Sequence, residues 1–149
     1  NFESSDDIAS QPITFSLVAL FSDQFLWLEI VTEEPFSSDQ FQLIVDMNFA
    51  IERHIKSIEK IQFDWPLHDS SGLDDSVDAA RASLRGFLDR LRSKHKWEKI
   101  FLLGDSNPIT VADLTDFCLC ISLSSSSREM ILQPERKREI WAELQNHAG

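Results

Sequence analysis

A chain of 149 residues with 42% apolar and 26% charged side chains has the make-up of one globular domain, long enough to bury a core without disulfides or a structural metal. A net charge of −11 disfavours a nucleic-acid surface, because phosphate binding depends on Lys and Arg. No apolar run nears the roughly 20 residues of a bilayer span, and the first ten residues are too polar and acidic for a secretion signal.

The charge is uneven. Residues 1–80 hold 16 acids and 3 bases, and residues 81–149 hold 9 acids and 11 bases. Arg81, Arg85, Arg90, Arg92, Lys94, Lys96 and Lys99 lie close together and read either as a solvated helix face running into a loop or as a docking face for an acidic partner. Cys118 and Cys120, the only cysteines, suit one face of a buried strand and a reduced, cytoplasmic compartment. His54, His68, His95 and His147 show no metal-ligand spacing, so neither a metal nor a cofactor is expected.

Residues 1–12, rich in Ser and Asp and closed by Pro12, read as a flexible arm before a single domain over residues 13–149. The chain starts at Asn1 and not at Met, as a domain of a longer protein would. Thr14–Phe21 and Phe25–Val31 read as strands joined by a short turn, hence an antiparallel hairpin. Ser37–Asp39 supply capping oxygens for a helix whose inward stripe is Phe41, Ile44, Met47 or Asn48, Ile51 and Ile55. Ile58–Phe63 reads as a third strand closed by Pro66. Asp74–Ser76 cap the strongest helix, with Val77, Ala80, Leu84, Phe87, Leu88 and Leu91 in one stripe. Ile100–Gly104 reads as a central strand, Val111–Asp116 as a short helical turn, and Phe117–Leu123 as another buried strand. Ser124–Ser127 cap the helix holding Met130, Ile131 and Leu132. Pro134 opens a last helix with Ile140, Trp141 and Leu144 inward. Alternating strands and helices predict an α/β fold with a largely parallel sheet sandwiched by helices.

Ligands of open α/β sheets sit beyond the carboxyl ends of the strands. Asp64, His68 and Asp69 follow the third strand and have the residue types of a general base with its orienting carboxylate. Gly104-Asp105-Ser106-Asn107-Pro108 follows the fourth but lacks the glycine spacing of either phosphate-binding fingerprint, and its Asp would repel phosphate. Ser122 and Ser124–Ser127 follow the fifth, without the flanking glycines of a nucleophile elbow, and serve more simply as caps. No catalytic residue is therefore expected. Trp65, with Pro66 beside it, and Trp97 fall in or beside loops, where each either covers the sheet or anchors a partner protein. Trp141 is read first as core and is the remaining candidate contact.

The tail from Ser124 to Leu144 resembles that of the psi subunit of bacterial DNA polymerase III: a strand, a short helix, an Asn-Pro step, then a helix with Lys and a Trp before Leu. Pro134, Lys137, Trp141 and Leu144 match, and Gln133 stands where the family usually has Asn. Phe63-Asp64-Trp65-Pro66-Leu67 is similar to the divergent psi proteins of pseudomonad-type bacteria. The resemblance implies a three-layer α/β/α sandwich similar to uracil-DNA glycosylases but without their activity. It further implies a cytoplasmic, non-catalytic adaptor that joins a chi subunit to the clamp loader and does not bind nucleic acid or membrane directly. The glycosylase site carries a His in the loop after the last strand, whereas Ser122–Ser127 here carry none. The alternatives are a glycosylase-like or nucleotide-hydrolysing enzyme using Asp64 or His68, and an unrelated α/β interaction module.

Overall fold

A computed structural model describes residues 14–32, 34–52, 57–66, 77–105, 111–115 and 118–146. The expected arm at 1–12, Ile55, the Asp74–Ser76 cap, His54, His68, Asp69, Ser106–Pro108 and His147 lie outside the described residues. The elements are β1 (Phe15–Phe21), β2 (Phe25–Val31), α1 (Ser38–Ile51), β3 (Glu59–Trp65), α2 (Val77–Lys94), β4 (Lys99–Leu103), α3 (Val111–Leu114), β5 (Leu119–Leu123), α4 (Ser127–Leu132) and α5 (Pro134–Gln145). Among the described residues no helix is long and apolar enough to cross a membrane.

The fold is mixed α/β, with one five-stranded sheet in the order β3-β1-β2-β4-β5. β1 is antiparallel to both β2 and β3, while β2–β4 and β4–β5 are parallel. The largely parallel sheet read from the sequence is thus a mixed one. The hairpin's first strand lies inside the sheet, so one reversed strand creates two antiparallel seams.

Alternation along the inner strands builds two cores. Leu17, Ala19 and Phe21 of β1, Leu26 and Leu28 of β2, and Ile100 and Leu102 of β4 share one core with Ala80, Leu84, Leu88 and Leu91 of α2 and Leu114 of α3. The opposite parity, Val18, Leu20, Phe25, Trp27, Phe101 and Leu103, packs with Leu43, Ile44, Met47 and Ile51 of α1, Met130 of α4, and Ile140 and Leu144 of α5. Inner strands that are apolar on both faces are what such double coverage selects. Trp27 is buried and stacks on Phe101 with ring centroids 4.3 Å apart. Its indole N–H donates to the side-chain oxygen of Asn48 (2.8 Å), whose amide donates to Glu52 (3.1 Å), and Ser22 closes this buried chain by donating to Glu52.

Two sequence boundaries move. The third strand runs on through Trp65, because Trp65 pairs with Phe15 and turns into the first core. The fifth strand starts at Leu119 and is an edge strand, not a buried one: only Leu123 is fully buried, and Leu119 is 58% exposed. α1 turns Gln40 and Asn48 inward along with its apolar stripe.

Candidate functional site

β2 and β4 lie side by side and parallel, but their exits diverge. β2 leads through α1, over the second core, to β3 beyond β1. β4 leads through α3, over the first core, to β5. Their carboxyl ends form a topological switch point, the customary ligand crevice of open α/β sheets. A crevice of about 150 Å³ opens there, lined among others by Glu29, Thr32, Glu34, Gln40, Ser126 and Arg128.

Glu29 is the chemical centre of this crevice. It opposes Leu103 across the β2–β4 seam and is buried. One carboxylate oxygen accepts from the Ser127 backbone N–H (3.0 Å); the other accepts from the Ser127 hydroxyl (2.9 Å) and from Gln40 Nε2 (3.4 Å). Gln40 Nε2 also donates to the Ser127 hydroxyl (2.9 Å). The group therefore ties β2 to the starts of α1 and α4. Burial pushes its carboxyl above the ordinary value. The bonds from Ser127 and Gln40 act in the opposite direction, while the nearby Glu129 adds to the rise.

The local sequence explains how α4 comes to meet it. Ser126 is the N-cap: its hydroxyl accepts from the Glu129 N–H (3.1 Å), and the Glu129 carboxylate accepts from the Ser126 N–H (3.0 Å), a reciprocal capping box. Ser126→Ala should lower the unfolding free energy by about 1 kcal/mol in urea titration, the usual loss for a removed hydroxyl cap. Gly104, at the end of β4 with φ +64°, lies against Ser126 and donates its N–H to the Leu123 carbonyl (3.0 Å). At the mouth, Arg128 forms a two-pronged pair with Glu34 (2.9 and 3.0 Å), both side chains well exposed, so the pair adds little stability.

The residues singled out from sequence do not converge on this crevice. Asp64 lies at the outer strand β3, where one oxygen accepts from the Ser16 hydroxyl (2.6 Å) and Gln62 Nε2 (2.8 Å); these two bonds hold its carboxyl below the usual range, opposite to what a proton-accepting base needs. Asp105 is exposed beside Gly104. Of the serine run, Ser126 caps α4, Ser127 binds Glu29, and Ser125 is buried, its hydroxyl accepting from Arg136 (3.4 Å). Trp65 and Trp97, 6% and 8% exposed, belong to the first core, whereas Pro66 and Trp141 are partly buried, Trp141 against the second core. Cys118 and Cys120 face the first core and are partly buried. Burial raises both thiols, that of Cys120 to about 11.

Sequence reasoning missed Glu29 and Gln40. The signal was present for the first: Glu29 is the one charge in Phe25–Val31, at the parity of Phe25 and Trp27. No protein-family model, characterised protein or solved structure matches this chain.

Chemically, the crevice ends on a carboxyl whose acceptors are engaged, and the buried Ser127 hydroxyl donates to that carboxyl while accepting from Gln40. No buried side-chain nitrogen or oxygen of the described residues lacks a hydrogen-bond partner. These groups fasten β2, α1 and α4 to one another.

Proposed function

We propose that this domain is a non-catalytic protein-binding module, a cytoplasmic adaptor of psi type with the three-layer α/β/α layout of the glycosylase-like folds. One observation carries the reading. α4 is pinned on its inner side by the Glu29–Ser127 bonds and the Ser126 cap, yet it presents Ile131 and Leu132, 42% and 66% exposed, outward. A short helix held this firmly while exposing two large aliphatic side chains is built to be covered. α1 packs against α4 and α5 and carries an exposed aromatic, Phe49. These residues lie in or beside the tail segment that resembles psi, so a chi-like subunit is the partner the resemblance names.

Affinity purification from the native cell tests this. The expected result is stoichiometric recovery of a chi-like subunit with the clamp loader, reduced at least tenfold by Leu132→Asp, a surface change that spares the core. Recovery of the intact domain without any replication protein would discard the reading.

A further inference from the structure

The two edges of the sheet are protected differently. β3 exposes Glu59, Lys60, Gln62 and Asp64, charged and polar side chains of the kind that discourage addition of another strand. β5, Leu119-Cys120-Ile121-Ser122-Leu123, has neither charge nor proline. Its inner side is paired residue by residue with β4, and among the described residues no strand pairs with its outer side. An uncharged row of backbone donors and acceptors at an edge is a template for a further strand.

The strand is complementary to itself. Leu119, Ile121 and Leu123 share the face of the second core, while Cys120 and Ser122 lie on the reverse. An antiparallel pair centred on Ile121 sets Leu119 against Leu123 of the other copy, Cys120 against Ser122, and Ile121 against its own counterpart. Opposite residues of such a pair fall on one face, so apolar meets apolar over the second core and small meets small behind it. This register uses all five residues, and a slip in either direction uses fewer. Burial follows the same pattern. Leu123 is buried in the second core, Ile121 is partly buried against it, and Leu119 is 58% exposed. The pair brings the exposed end of each strand beside the buried end of the other, giving Leu119 an apolar neighbour on its exposed side.

The charge distribution tolerates a second copy at this edge. The chain carries −11, but residues 1–80, with 16 acids and 3 bases, supply β1, β2 and β3, whereas residues 81–149, with 9 acids and 11 bases, supply β4 and β5. In the order β3-β1-β2-β4-β5 the nearest strand of the acidic half is two places from β5, about 10 Å at the usual strand spacing. That exceeds the Debye length of about 8 Å at physiological ionic strength.

We propose that β5 is the dimerisation edge of this domain: two copies join antiparallel through β5, about a two-fold axis at Ile121, and form one continuous sheet. A strand of another protein would satisfy the backbone groups alone. The second copy also matches side chain to side chain and exposed end to buried end, which is why the occupant is assigned to it. The contact is isologous and closes at two copies. Five residue pairs bury less than a standard-size interface, so the dimer is weak and concentration-dependent. It uses none of Phe49, Ile131 and Leu132, the exposed residues of the α1 and α4 surface discussed above.

Sedimentation of the whole chain tests this. Its mass should rise from monomer toward dimer with concentration. Leu119→Lys should raise the dissociation constant at least tenfold, while Glu59→Gln at the opposite edge should leave it unchanged. Ser122→Cys reads the register. Facing positions of an antiparallel pair have Cβ atoms about 4.5–5.5 Å apart, near the span of a disulfide, so mild oxidation should link the introduced thiol to Cys120 of the other copy. Adding Cys120→Ser should abolish that covalent dimer. Leu119 and Ser122 are exposed, so both changes spare the core. A chain that stays monomeric at every concentration, a dimer indifferent to Leu119→Lys, or a cross-link that persists without Cys120 would overturn the proposal. No replication protein enters the assay, so failure here leaves the psi-type reading to stand or fall on its own purification.

Discussion

Replacing Glu29 by leucine should lower the unfolding free energy by roughly 2–6 kcal/mol near pH 5, because two buried donors lose their acceptor at a loss of about 1–3 kcal/mol each. Those donors are the Ser127 backbone N–H and the Ser127 hydroxyl. Leucine has nearly the volume of glutamate, so little of the effect comes from a void. The loss falls on the junction of β2, α1 and α4, and the exposed Ile131 and Leu132 should become more mobile along with α4. Urea titration combined with amide exchange of α4 checks this. A change below about 0.5 kcal/mol, the range of ordinary surface substitutions, would mean that the carboxylate is not what holds the helix.

Glutamine at the same position isolates the charge. Burial raises the Glu29 carboxyl above its ordinary 4.5, so the folded chain keeps this proton to higher pH than the unfolded chain does. The stabilisation contributed by this group is complete below the unfolded value and is lost as pH rises through the raised folded value. Glu29→Gln copies the neutral acid and has no such proton to lose. The stability of the parent relative to Glu29→Gln should therefore decline as pH rises above about 4.5 and level off once the raised folded value is passed. A difference that stays flat across that range, or rises with pH, would contradict the assigned direction.

Periodicity made most of the elements legible. The hairpin, the Ser37 and Ser126 caps, the α2 stripe and Pro134 opening α5 all follow from patterns spanning a few residues, and the chain forms them where those patterns fall. Strand order was not legible, because nothing local to Phe15–Phe21 says that this strand lies between β2 and β3. The same gap hid the edge position of β5: Phe-Cys-Leu-Cys-Ile-Ser-Leu reads as buried in either place, and only its position beyond β4 leaves Leu119 in solvent. Glu29 was overlooked for a related reason. A lone charge in an apolar strand marks a site only once Ser127 and Gln40, 98 and 11 residues away along the chain, are known to meet it.

Gly104→Ala should destabilise the domain by about 2–5 kcal/mol through two separable terms. A non-glycine residue in the left-handed region loses roughly 1–2 kcal/mol, and overpacking a tight contact adds about 1–3 kcal/mol. Gly104 has φ +64°, and a Cβ built there would lie 2.9 Å from the Ser126 Cβ, 3.0 Å from its nitrogen and 3.1 Å from its Cα. Two of those three neighbours are backbone, so rotating a side chain cannot relieve the crowding. Adding Ser126→Gly to the alanine variant removes only the first contact, and glycine at an N-cap itself loses only a few tenths of a kcal/mol. The double variant should recover a minor part of the stability, with the backbone contacts and the positive φ still opposed. Full recovery would mean that β4 and α4 are separated merely by a side chain. Partial recovery means that the end of β4 sets the height at which α4 begins, and with it where Ser127 meets Glu29 and where Ile131 and Leu132 face solvent. In that case Gly104→Ala should also weaken capture of the chi-like subunit, whereas a variant that lowered stability alone, without displacing α4, would bind normally below its unfolding temperature.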